Sequence, residues 1–199
     1  MTKTTQYSDD YIEVIPGLDA VRVRPQIYLK DIQVPDELIF QALCHAIDEA
    51  LDGKCSWIKI EIDRQLVNVE YNAGISLWIT PSGRSTAEIM MTVLHACHNM
   101  KKHLDVGAKY CTLGLAVMNA FCDQFEIETI SQGKIGTQVY IKVAADRNFL
   151  ISESNEVDKT KFSFTLDREM VGDYQFDVDR LRSKVLELAQ ELNIKITID

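Results

Sequence analysis

Residues 95–103, "HACHNMKKH", gather His95, Cys97, His98 and His103 into one short stretch. Imidazole and thiol groups are what a zinc-like ion takes, but such sites usually pair ligands roughly two to four residues apart in two clusters. That pattern is missing, so no metal site is expected. Asp48 and Glu49 lie in a predicted helix and follow its outward register. No Ser/His/Asp or Cys/His spacing supports an argument for nucleophilic catalysis. The remaining candidate is "YNAGISL", residues 71–77, which ends the apolar run "LVNVE". An Asn, a Gly and a small residue at a strand's end mark a turn whose backbone approaches something closely. Tyr71, Asn72 and Gly74 therefore form either a binding turn or the remains of one.

Several elements must hold these residues in place. Segment 36–51 has apolar residues at 38, 39, 42, 43, 46, 47, 50 and 51, a helical period. Asp36 is expected to cap its start and Gly53 to stop it. "WIKIEID" and "LVNVEYN" alternate as a β-hairpin should. "STAEIMMTVLHACHNM" reads as a second helix with a capping box from Ser85 to Glu88. "KYCTLGLAVMNAF" reads as a third, buried helix. "DQFEIETIS" and "IGTQVYIKVA" form a hairpin around "QGK", and "TKFSFTL" is a further strand. "DVDRLRSKVLELAQEL" is an amphipathic helix, followed by the strand "IKITID". Trp57 and Trp78 are expected as core or edge packing, and Met90, Met91, Met100 and Met118 as core filler. Helices interspersed with antiparallel hairpins imply an α/β (α+β) layered domain, helices over a mixed sheet.

Composition narrows the partners. The chain has 199 residues, 46% hydrophobic and 26% charged, ordinary for a globular protein. Its net charge of −9 argues against direct nucleic-acid binding, since no basic run could neutralise a row of phosphates. No apolar stretch approaches the roughly 18 residues of a membrane span, and the start lacks a signal-peptide core. Five cysteines with no CxxC pair read as reduced core residues. A cytoplasmic location is expected.

The stretch "YIEVIPGLDAVRVRPQIYLKD" closely resembles the opening of the ATPase domain found in the B subunit of DNA gyrase and its topoisomerase IV counterpart. "AIDEALDGKC", "STAEIMMTVLHA", "GLAVMNAF" and "RLRSKVLELAQELNIKITID" resemble further blocks of that family, in its order and near its spacing. The resemblance runs from about Tyr7 to the last residue and implies the Bergerat (GHKL) fold, with helices on one face of a mostly antiparallel sheet. It implies one such domain over residues 16–199, preceded by an N-terminal arm over 1–15.

In that family a helix supplies a Glu general base and an Asn that holds Mg²⁺. The corresponding positions here are Gln41 and His45, with Cys44 at an intervening Asp. An amide is not basic, and imidazole is a poor oxygen-ligand substitute for Mg²⁺. Where the family reads "DNGRGIP", this chain reads "YNAGISL", one residue shorter. Tyr71 replaces the Asp that accepts the adenine amino group, Asn72 and Gly74 persist, and the Arg has no counterpart. The glycine-rich phosphate lid becomes "AKYCTLG", residues 108–114, where Gly114 remains and Lys109 is a surface lysine or a phosphate contact. Thr160 matches one Thr of a Thr-Gly-Thr strand beside the adenine. No catalytic residue, ATP or Mg²⁺ is therefore expected.

The arm keeps Tyr7, the position of a family tyrosine that reaches a partner's nucleotide pocket. That suggests dimerisation, with itself or with a gyrase or topoisomerase subunit. The relatives continue into transducer and metal-binding domains, so these 199 residues alone are not expected to pass DNA strands. The expected function is a pseudoenzyme acting as a binding or regulatory module. The alternatives are a diverged ATP-binding or ATPase domain, and an acidic protein that mimics DNA through residues 152–191.

Overall fold

The computed structural model describes residues 15, 17–29, 35–97, 102–103, 105 and 109–199. Tyr7, the arm apart from residue 15, His98, Met100 and Ala108 lie outside the described residues.

Alternation of apolar and polar residues builds the sheet. Its strands are β1 (Trp57–Asp63), β2 (Leu66–Tyr71), β3 (Cys122–Ser131), β4 (Lys134–Ile141), β5 (Ala144–Ala145), β6 (Leu150–Glu153), β7 (Lys159–Leu166) and β8 (Lys195–Ile198). They lie in the order β5-β4-β3-β7-β2-β1-β8, with β6 also pairing β4. All these pairings are antiparallel except that of β8 with β1. Register places Ile60 opposite Val69, Val69 opposite Phe162 and Phe162 opposite Ile127, so one face is continuously apolar. Phe125 stacks on Phe162 with ring centroids 5.5 Å apart. On the opposite face Lys59, Asn68, Glu70 and Ser163 are partly exposed. A sheet with one dry and one wet face is half of a two-layer sandwich.

The helices cover the dry face. Those lying wholly among the described residues are α1 (Asp19–Val23), α2 (Asp36–Ala42), α3 (Cys44–Leu51), α4 (Thr86–Thr92), α5 (Leu115–Phe121), α6 (Arg168–Val171) and α7 (Val178–Leu192). Every residue of α5 is buried: six are apolar, and the seventh, Asn119, donates its amide to the Met91 carbonyl at 2.9 Å. Arg22 on α1 ties this layer together: it donates to the Ala120 carbonyl at 2.9 Å and pairs with buried Asp167.

Several expectations need correction. The helix foreseen over 36–51 is two helices, broken at Leu43 (φ −86°, ψ −3°). There the Phe40 carbonyl accepts both the Leu43 N–H and the Cys111 thiol. Asp36 is not the cap, because Pro35 holds that position. Its buried carboxylate instead accepts the Asp177 N–H at 3.2 Å and faces Arg180 at 3.3 Å, binding α2 to the start of α7. Ser85 does cap α4, accepting the Glu88 N–H at 3.1 Å, but α4 stops at Thr92, and His95 beyond it has φ +63°. The single helix foreseen over residues 109–121 is interrupted: residues 109–110 are helical, 111–114 are not, and α5 begins at Leu115 after Gly114 at φ +81°, ψ 175°. Trp78 is 64% exposed rather than packed, while Met90, Met91 and Met118 are core. Among the described residues no helix is long and apolar enough to cross a membrane.

Candidate functional site

The break at Leu43 places Gln41 near the end of α2 and His45 near the start of α3, four residues apart. Gln41 is buried and its amide is fully engaged. Oε1 accepts the backbone N–H groups of Leu113 (2.9 Å) and Gly114 (3.0 Å). Nε2 donates to the carbonyls of Glu37 (3.2 Å) and Tyr110 (3.4 Å). One side chain therefore ties α2 to the segment leading into α5. Gly114 is required there twice over: its φ is positive, and a Cβ would stand 2.9 Å from the Cys97 Cβ.

His45 meets the end of β2. Its Nδ1 lies 3.2 Å from the Tyr71 hydroxyl, with the rings tilted and 5.8 Å apart, and its Nε2 lies 3.8 Å from Glu49. Burial lowers the His45 pKa, with Glu49 opposing, and burial raises that of Tyr71 well above its ordinary value. A neutral imidazole accepting from the protonated Tyr71 phenol at Nδ1 fits both directions of shift. Tyr71 has no exposed surface.

The turn after Tyr71 is held by its own chain. Asn72 Oδ1 accepts the N–H groups of Ser56 (2.9 Å) and Trp57 (3.0 Å), and its Nδ2 donates to Ser56 Oγ. Thr160 donates to the Ala73 carbonyl at 2.8 Å and meets Thr129 Oγ1 at 2.8 Å, while Thr129 accepts the Ile75 N–H at 2.9 Å. A Cβ on Gly74 would stand 2.0 Å from the Ile130 carbonyl oxygen. Asn72, Gly74 and Thr160 thus each have a structural reason to be what they are.

A cavity of about 200 Å³ remains beside His45, lined by Cys44, Glu49, Met90, Cys97 and Lys102 among others. Its floor includes a contact that the sequence hides. Asp48 is buried, not outward, and accepts the N–H groups of Lys102 (3.0 Å) and His103 (2.9 Å). Lys102 Nζ reaches Glu49 (2.7 Å) and Asp52 (2.6 Å), and His103 Nε2 reaches Asp52 at 2.7 Å. The outward register assigned to Asp48 fails because residue 48 lies one turn after buried Cys44, on the same helical side. Lys109 pairs with Glu191 at 2.6 Å. Among the described residues no group of three or more His, Cys, Asp or Glu converges on a common point.

Known proteins are similar to this chain in sequence and fold. The chain is 30% identical over 190 residues to the B subunit of DNA gyrase from Thermotoga maritima, covering 92% of this chain and 30% of that protein. It is 31% identical over 207 residues to the B subunit of DNA topoisomerase 4 from Staphylococcus epidermidis, covering all of this chain and 31% of that protein. It is a homologue of DNA gyrase B and topoisomerase IV B. Gyrase B of Archaeoglobus fulgidus is 32% identical over 194 residues. The chain spans about a third of the length of the curated relatives it matches. Among solved structures, the 43K ATPase domain of Thermus thermophilus gyrase B, in complex with an aminocoumarin, has a TM-score of 0.77 at 24% identity. That match covers 92% of this chain and 48% of the other, and the fold is accordingly the gyrase B ATPase (GHKL) fold. No family model matches the chain.

Proposed function

We propose that this chain is a gyrase-B-like domain without ATP-hydrolysing capacity that acts as a binding or regulatory module, by dimerising or by pairing with a type II topoisomerase subunit. The observation that carries the reading is the Gln41 carbonyl on the Leu113 and Gly114 N–H groups. Backbone amides at a glycine turn before a helix are what a bound phosphate takes. Here an internal acceptor takes them, so a phosphate would first have to displace a buried side chain.

Two other positions support it. Phosphoryl transfer to water needs an oriented nucleophile and a metal held largely by oxygen. Gln41 offers an amide where the family resemblance implies a base, and His45 is engaged by Tyr71 where it implies a metal ligand. These residues do not fit ATP with Mg²⁺. Five buried cysteines, none of them in a disulfide, go with a reducing, cytoplasmic compartment. We read residues 16–199 as one domain and 1–15 as its arm, with Tyr7 at the partner surface.

The test measures ATP turnover of the chain alone and with a gyrase B or topoisomerase IV B protein, and resolves the mixture by size exclusion with light scattering. The expected result is no turnover above the enzyme-free rate, together with a dimer or a mixed complex. Turnover that Gln41→Ala abolishes would overturn the loss of hydrolysis. A monomer indifferent to both proteins would overturn the binding role.

A further inference from the structure

A second cavity, of about 460 Å³, opens away from the His45 pocket, between α4 and the β4–β5–β6 edge of the sheet. Its wall carries polar groups that the fold leaves unanswered. The Tyr140 hydroxyl is buried and has no hydrogen-bond partner. Burial raises the pKa of this phenol, so it remains a donor, and the charges acting on it are Glu88 and Arg84, both on the cavity wall. Among the described residues neither Arg84 nor Glu88 enters an ion pair, and the Arg84 guanidinium donates to Thr92 Oγ1 at 3.3 Å. Arg147, also on the wall, already faces Asp146 at 4.0 Å. The orphaned phenol is costly unless something pairs with it, and a half-buried guanidinium and a half-buried carboxylate line the same space.

Part of the wall is apolar, and the turn beside it is strained. Val143, Phe149 and Ile151 are partly buried and line the same space. Lys142 (φ +46°) and Val143 (φ +70°) form the two-residue turn from Ile141 to Ala144. Such turns favour Asn and Gly, and a β-branched residue there is strained. Strain of this kind collects at ligand clamps.

We propose that this cavity binds a free α-amino acid with an apolar or aromatic side chain. Its carboxylate takes the Arg84 guanidinium and the Tyr140 O–H, its ammonium takes Glu88, and its side chain lies against Val143, Phe149 and Ile151. The charge pattern chooses this class: a simple anion leaves Glu88 unpaired, and a simple cation leaves Arg84 and Tyr140 unpaired. This inference does not depend on the loss of ATP hydrolysis.

Saturation-transfer NMR with L-phenylalanine, N-acetyl-L-phenylalanine and L-phenylalanine methyl ester tests it on the intact chain. The expected result is millimolar or tighter binding of L-phenylalanine, weakened at least fivefold by blocking either end. Arg84→Gln and Glu88→Gln should each weaken it at least fivefold, and Tyr140→Phe at least threefold, with no fall in melting temperature. The blocked ligands need no variant, so a misfolded variant leaves the test intact. No transfer from L-phenylalanine, or equal binding of the blocked forms, would overturn the proposal, as would equal binding by all three variants.

Discussion

Replacing Gln41 separates a structural amide from a bystander. In Gln41→Ala the N–H groups of Leu113 and Gly114 lose their shared acceptor, and the carbonyls of Glu37 and Tyr110 lose a donor. A stranded buried donor costs about 1–3 kcal/mol, and the two long carbonyl contacts add less. Leu113 is half-buried and recovers some hydration, which brings the expected loss to about 3 kcal/mol. Against a total stability of about 5–15 kcal/mol, that moves a urea midpoint plainly. Gln41→Met fills the same space without the acceptor, so it should lose nearly as much. Equilibrium urea unfolding at pH 7 measures both. If Gln41→Ala costs under about 1 kcal/mol, or Gln41→Met matches the parent while Gln41→Ala does not, the side chain fills space and the hydrogen-bond account is wrong.

Other positions give separate checks. Gly74→Ala drives a Cβ onto the Ile130 carbonyl and should cost about 3 kcal/mol or more by the same unfolding assay, with a mild effect contradicting the close approach. Asn72→Ala removes three hydrogen bonds at a half-exposed site and should cost about 1–2 kcal/mol. The His45 pKa is lowered in the fold, so the unfolded chain binds that proton more readily. Its stabilisation is complete above the unfolded value of about 6.5 and drains away as pH falls toward the folded value, by at most about 1.4 kcal/mol per pH unit. His45→Asn should therefore lose less stability than the parent between pH 7 and pH 5, and parallel losses would show that His45 is not buried as a neutral ring.

What the sequence displayed and what it hid divide along physical lines. Period-two alternation in 57–71 and 122–141 marks both hairpins, because one face of each is buried and the other wet. The capping box at Ser85 is local and equally legible. The break at Leu43 was hidden, since it rests on Cys111, far along the chain, reaching the Phe40 carbonyl. Asp36 and Asp48 look like surface acids in sequence, yet each is buried against backbone N–H groups from remote segments. At the site, the residue types at Gln41, His45 and Tyr71 are plain in the sequence. That the Gln41 amide sits on two N–H groups and the Tyr71 phenol on the His45 imidazole needed coordinates. Residues 142–143 gave no warning of a left-handed turn, because neither is Asn or Gly.

Calorimetric titration of the chain with a non-hydrolysable ATP analogue and Mg²⁺ tests the central claim most directly. With the Leu113 and Gly114 N–H groups held by Gln41 and the end of β2 closed by Tyr71, no saturable heat is predicted up to millimolar analogue. A saturable micromolar isotherm with one site per chain would contradict the account.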